Sequence, residues 1–184
     1  MKRIISAVLA ILTTVSTSGC LHVAIKREID VDMQKKYSNY QKLLPAPEIG
    51  KGRVFIYSND RFIQQRIFAI DNKIYISWGN SYSYIDLPES CIHRIVDIQF
   101  VTFQGAVPDV HNVELNVTNQ KPVYVKLIYS GTSTSGFSRS IPEVINASLA
   151  EVEMADLGFD LKGSKFRGDD KSNSKGWPAL KCNH

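Results

Sequence analysis

Cys91 and His93 stand two residues apart in the stretch ESCIH, and a thiol near an imidazole is the pairing that activates a sulfur nucleophile. On a strand such residues share a face but lie roughly 7 Å apart along the chain, so the spacing argues against direct proton transfer. Gly131-Thr132-Ser133-Thr134-Ser135-Gly136 has the composition of a nucleophile elbow. Ser135, however, stands where Gly-x-Ser-x-Gly requires glycine, and no strand-to-helix turn frames it, so it reads as a loop. His22, His93, His111 and His184 have no zinc-ligand spacing, Asp169-Asp170 reads as a solvated pair, and no glycine-rich phosphate loop occurs. The expectation is therefore no catalytic residue, no metal and no cofactor. Trp78, Tyr82 and Tyr84 are the candidates for a recognition surface. Trp78 follows a strand, and Tyr82 and Tyr84 share a face. Aromatics are enriched at interface hot spots and equally fill β cores, so both readings stand.

The remaining cysteine has a different setting. Lys2 and Arg3 precede an apolar run, Ile4 to Val15, which falls short of the ~20 residues of a spanning helix and is followed by small residues from Ser16 to Gly19. This is the layout of a secretory signal peptide. It ends in Gly19-Cys20, which resembles the lipobox of bacterial lipoproteins, with Thr17 where that family prefers Leu. The resemblance implies cleavage before Cys20, acylation of its thiol and amine, and a chain held at a bilayer. One acyl chain holds only marginally at about 0.8 kcal/mol per buried methylene, and two or more hold stably. Leu21 implies, by the same resemblance, an outer membrane facing the periplasm in a Gram-negative host. The alternative is a buried core helix, but nothing upstream exists for it to pack on. With Cys20 lipidated, Cys91 and Cys182 are left as a pair, and an oxidising compartment favours a disulfide between them over two free thiols. It would close a loop of roughly 90 residues and contribute about 4–5 kcal/mol in the chain-entropy model.

The chain has 184 residues, enough for one domain with a real core. Its 43% hydrophobic and 22% charged residues are those of a globular protein. The formal charge of +4 includes Lys2 and Arg3, so the processed chain carries 20 basic against 18 acidic residues. A balance so near zero gives no argument for nucleic acid binding, which usually shows a strongly basic face, and no nucleic acid partner is expected.

Four segments follow: a signal peptide at 1–19, a lipid-anchored stalk at 20–47, a β domain with a C-terminal helix at 48–160, and a polar tail at 161–184. In the stalk, Ile29, Met33, Tyr37 and Tyr40 recur at helical spacing until Pro45 and Pro47 end the pattern. The stripe is read as packing on the domain or spacing it from the membrane, in preference to binding a partner helix. Beyond Pro47, β-branched and aromatic residues take over. Arg53 to Ser58 is almost continuously apolar, as in a central strand. Arg66 to Ile70 and Lys73 to Ser77 flank a two-residue turn at Asp71-Asn72, and Ser81 to Leu87 alternates. Ile92 to Phe103 changes its apolar face along its length, so a bend or bulge is expected. Val113 to Val117 and Val123 to Tyr129 complete about seven strands without intervening helices, which predicts an antiparallel β-sandwich, immunoglobulin-like or related. Ser140-Ile141-Pro142-Glu143 fits a capping box. It predicts a helix with the stripe Ile145, Leu149, Val152 and Ala155, ending near Gly158. The sequons Asn116-Val117-Thr118 and Asn146-Ala147-Ser148 carry no meaning in most bacteria.

The succession GKGRVFIY, FAIDNKIY and SYSYIDLPES resembles a group of small bacterial envelope lipoproteins with an uncharacterised β-sandwich domain. The likeness spans Gly52 to Tyr129. It departs at Asn72, where the group has glycine, and in the turn after Leu87, which lacks glycine. The resemblance implies fold and anchoring and no catalytic residue. The expected function is a non-enzymatic, membrane-anchored binding or scaffolding module whose partner is an envelope protein or peptidoglycan. Its rivals are a small-ligand or lipid carrier, which needs an apolar cavity, and a cell-wall hydrolase accessory. The second needs Asp86, Asp97 or Glu114 in a cleft with a raised pKa.

Overall fold

A computed structural model describes residues 31–60, 65–71, 73–101, 105–132, 138–160 and 181–182. The expectations placed on residues 1–30, Cys20 among them, on 133–137 and on 161–180 lie outside that part. The described chain is mainly β, with eleven strands and two short α-helices.

Strand β2 (Lys51–Ser58) organises the fold. Its apolar residues are consecutive rather than alternating, so both of its faces must be covered. It is hydrogen-bonded on both sides, antiparallel to β5 (Ser81–Pro88) and parallel to β8 (Val123–Thr132). Strands β3 (Gln65–Ile70) and β4 (Lys73–Trp78) form the expected hairpin, with Ile70 opposite Lys73. Asp71 opens its two-residue turn at φ +56°, the left-handed geometry that suits strand twist. Strands β6 (Cys91–Val101) and β7 (Gly105–Asn116) pair antiparallel, and the register slips between Val96 and Ile98, where the change of apolar face predicted an irregularity.

Strands β1 (Val31–Asp32), β9 (Ser138–Ile145), β10 (Gly158–Asp160) and β11 (Lys181–Cys182) complete the set. One sheet runs β1-β10-β5-β2-β8-β9, and the other runs β4-β3-β6-β7 with β11 on the end of β6. They join through one bridge, Arg66 opposite Ser138. Seven strands were expected. The two- and three-residue edge strands carry no legible alternation, and β9 imitates a helix start. The pairings are not all antiparallel either. β2 can lie parallel to β8 without a crossover helix because the intervening chain passes through β3, β4, β6 and β7 of the other sheet as well as through β5.

Two cores result. Val54 and Ile56 of β2 and Val125 and Leu127 of β8 meet Phe68, Ile70, Ile95 and Leu115 of the second sheet. On the opposite face of β2, Phe55 and Tyr57 join Tyr82 and Tyr124. There α1 (Tyr37–Tyr40) supplies Tyr37, and α2 (Ala147–Met154) supplies Ala150 and Met154.

Residues 31–47 pack on the domain, one of the readings open for that stripe, and the helices correct two boundaries. Val31 pairs with Asp160, Tyr37 is fully buried, and α1 is a single turn continued by a 3-10 turn at Gln41–Leu43. The C-terminal helix begins after Ser140–Glu143, which lies in β9, with Leu127 opposite Pro142. Proline is tolerated in an edge strand, where its missing N–H can face outward. The real N-cap is Asn146, whose side chain accepts a hydrogen bond from the Ser148 amide at 2.9 Å, so the sequon-like triplet is the helix start. The buried face is Ala150 and Met154, whereas Leu149 and Val152 are 53% and 75% exposed. Gly158 is not a helix C′ residue but a close-approach position, since a Cβ there would lie 2.6 Å from Met33 Sδ and from Val31 Cγ1.

Candidate functional site

Two clefts flank β2 and β5. The first opens where the 3-10 turn, β2 and the 117–122 connection meet, and encloses about 320 Å³ lined by Tyr37, Gln41, Arg53, Lys121, Tyr124 and Glu151 among others. The connection lies hard against β2 because residue 52 is glycine; a Cβ there would sit 2.2 Å from the Thr118 carbonyl oxygen. Tyr37 and Tyr124 exchange a hydroxyl hydrogen bond of 3.0 Å, and Tyr124 donates to Glu151 Oε1 at 3.3 Å. Burial raises both phenols above the usual tyrosine value; the Tyr124 hydroxyl and the Glu151 charge add to the rise at Tyr37, and at Tyr124 Glu151 adds to it while the Tyr37 hydrogen bond opposes it. They are neutral hydrogen-bonding groups at any physiological pH. Beside them, Arg53 grips Asp86 with two 2.8 Å hydrogen bonds, and its guanidinium lies 4.2 Å from the Tyr84 ring centroid. That is a pre-organised polar wall over an aromatic floor, suited to binding.

The second cleft, about 340 Å³, lies at the turn end of the β3–β4 hairpin and takes in Lys51, Asp71, Lys73, Tyr75, Asp86 and His93. His93 is 1% exposed. Its Nδ1 is 2.9 Å from Asp71 Oδ2 and its Nε2 is 2.7 Å from the Pro88 carbonyl oxygen. Burial pulls the imidazole pKa down. The hydrogen bonds to Asp71 and Pro88 and the Asp71 charge outweigh that, and the net shift is upward. Asp71 Oδ1 accepts from the Arg94 amide at 3.0 Å, and the Asp71 amide donates to the Arg94 carbonyl at 2.8 Å.

The sequence candidates fall apart accordingly. Cys91 and Cys182 face each other across β6 and β11 with their sulfurs 2.05 Å apart, a disulfide. Cys91 is therefore no thiol nucleophile, and both nitrogens of His93 are engaged elsewhere. Of the aromatic trio, Tyr82 is a core residue with no exposed surface, its hydroxyl donating to the Lys35 carbonyl at 3.0 Å. Tyr84 is half-buried under Arg53, and Trp78 is half-buried on β4 in the other sheet. The three form no shared surface, because the chain crosses between sheets at Gly79-Asn80. Asp86 is neutralised by Arg53, Glu114 pairs with Arg94 on the surface, and Asp97 is buried in β6. No cleft gathers the three carboxylates. Among the described residues no group of His, Cys, Asp and Glu is arranged to hold a metal.

Sequence reasoning missed the Asp71–His93 contact. An aspartate at the first position of a two-residue hairpin turn was the available signal, but its partner is 22 residues away. Compared with protein-family models, curated proteins and solved structures, the chain finds no match.

Proposed function

We propose that this chain is a lipoprotein of the bacterial cell envelope, held at a membrane through Cys20, whose β domain is a non-enzymatic binding or scaffolding module. In this reading the two sheets pack as the layers of a β-sandwich, and the helix-covered outer face of β2 carries the polar cleft. The observation that carries the proposal is the Cys91–Cys182 disulfide. Such bonds persist in exported proteins and are rare in reducing cytosol, and this one takes up two of the three cysteines and leaves Cys20 outside the pair. That pairing fits the signal-like N-terminus and the small residues before Cys20. The binding role is supported by the first cleft, with Arg53 fixed on Asp86 and the Tyr37–Tyr124 pair held neutral. An envelope protein or peptidoglycan is the partner in this reading.

The test is mass spectrometry of the membrane fraction from cells making the full chain. The expected N-terminal peptide begins at Cys20 and carries acyl chains, and Cys20→Ala moves the protein to the soluble fraction. An exported form that begins elsewhere, or that keeps an unmodified thiol at Cys20, overturns the anchor. Crosslinking in intact cells then addresses the module: reproducible capture of one envelope protein or of peptidoglycan fragments is expected, and loss of that capture on Lys121→Glu places it at the first cleft.

A further inference from the structure

Polar ties between sheets are costly to bury unless every donor and acceptor is matched. His93 is almost wholly enclosed, and each of its ring nitrogens meets an oxygen: Asp71 Oδ2 at 2.9 Å and the Pro88 carbonyl at 2.7 Å. A peptide carbonyl can only accept, and so can a carboxylate. A neutral imidazole carries one N–H and so satisfies one of these partners, while an imidazolium carries two and satisfies both. The two partners belong to different sheets, since Asp71 is the turn of β3–β4 and Pro88 is the end of β5.

We propose that His93 is a cationic staple between the two sheets, and that its deprotonation releases the hairpin turn from the end of β5 and loosens the second cleft. The other charged and titratable groups around it fit this role. Asp71 is its counter-ion. Asp86 on β5 is held by Arg53, and Lys51 on β2 by Glu48 at 2.6 Å. Lys73 and Tyr75 on β4 share the cleft. Arg94, the next residue on β6, directs its guanidinium to Glu114 on β7, and the residue opposite His93 on β7 is the apolar Leu115. Asp71 is thus the one carboxylate hydrogen-bonded to the ring. When the proton leaves, one acceptor loses its donor: either the Pro88 carbonyl is orphaned or Asp71 is. In both cases the tie between β5 and the hairpin is halved, while the Cys91–Cys182 bond keeps β11 in place.

The sign follows from linkage. Histidine titrates near 6.5 when unperturbed, and in the folded protein its proton is held more tightly. The staple's stabilisation is complete below about pH 6.5 and is lost as pH rises through the folded-state midpoint. An envelope compartment whose pH follows the medium would expose the protein to this change.

The experiment uses the full chain in detergent micelles with nitrogen-labelled histidine. A variant with His22, His111 and His184 replaced by Gln leaves His93 as the one signal. At pH 6 both ring nitrogens are expected to report attached protons. Amide exchange supplies a second readout in the same sample. Corrected for intrinsic rate, the opening constant of the Arg94 amide should rise by up to about tenfold per pH unit from pH 6.5 and then level off. Asp71→Asn, which keeps an acceptor and removes the charge, should move the His93 midpoint downward. A His93 ring with one unprotonated nitrogen at pH 6 overturns the proposal. So does an Arg94 amide whose protection is flat from pH 6 to 9. Neither result requires a variant at His93 itself, so misfolding cannot mask the outcome.

Discussion

The helix-covered face of β2 and the turn end of the β3–β4 hairpin both bury polar side chains, and they handle charge in opposite ways. On the covered face, the Tyr57 hydroxyl donates to Glu153 Oε2 and Lys126 donates to Oε1, each at 2.7 Å. Burial would raise the Glu153 pKa, but the hydrogen bonds from Lys126 and Tyr57 outweigh it and hold the carboxyl below its usual range. The Tyr57 and Tyr37 phenols are driven the other way, beyond the normal tyrosine range, mainly by burial. Glu153, Tyr57 and Tyr37 each keep one protonation state from mildly acidic to mildly basic pH. At the hairpin end the titrating group is an imidazole, whose ordinary range lies in the middle of that window. One region is built to hold α2 on the sheet without change across the neutral range. The other holds two sheets together with a proton.

Four measurements would break or sharpen this contrast. The largest effect belongs to the covered face. Phe55 stacks on Tyr124 at 5.3 Å and meets Tyr37 edge-on at 5.3 Å, so Phe55→Ala should cost about 3–5 kcal/mol in denaturant unfolding. A cost below ~1 kcal/mol would mean the helices do not close a packed core. Next comes the acid limb. Because the folded pKa of Glu153 is lowered, its stabilisation is present above the unfolded value near 4.5 and is lost as pH falls through the folded one. Glu153→Gln should cost roughly 1.5–3 kcal/mol at pH 7 and flatten that acid limb, leaving the slope between pH 6.5 and 9 unchanged. A change in that upper slope would show that the two regions are coupled.

Smaller effects test the helix boundary. Asn146→Ala removes the observed cap and should cost about 1 kcal/mol, whereas Glu143→Ala, on the exposed side of β9, should stay within about 0.5 kcal/mol. A reversal of that order would restore the helix start at Ser140. Smallest is Val152→Lys, at 75% exposure, expected within about 0.5 kcal/mol of the parent by thermal unfolding. A large loss would mean that α2 presents its other face to the sheet.

The legible parts of the chain were those whose pattern is set by near neighbours. RVFIYS has no polar alternation, and it became the central strand. Asp71-Asn72 between two apolar runs became a hairpin, since only a short turn with left-handed backbone joins strands of matched twist. The slip of apolar face in β6 became a register shift at Val96/Ile98. Where two local signals competed, sequence reasoning chose wrongly. Ser140 and Glu143 imitate a cap, but β8 runs antiparallel beside that segment, with Tyr129 opposite Ser140 and Lys126 opposite Glu143, and draws it into a strand. Three residues later Asn146 offers an equally good cap, and the helix face rotates with its start. The candidate site was the least legible. Its contacts, Asp71 to His93, Arg53 to Asp86 and Tyr37 to Tyr124, span 22, 33 and 87 residues.

The sequence by itself determined that the chain is mainly β, where most long strands begin, and which strand must be buried on both faces, because side-chain period and turn chemistry act within a few residues. Tertiary structure alone decided that β2 runs parallel to β8, that Tyr82 belongs to the core, and that a buried histidine sits between two acceptors. Those outcomes depend on register between strands far apart in the chain, and no local preference encodes register.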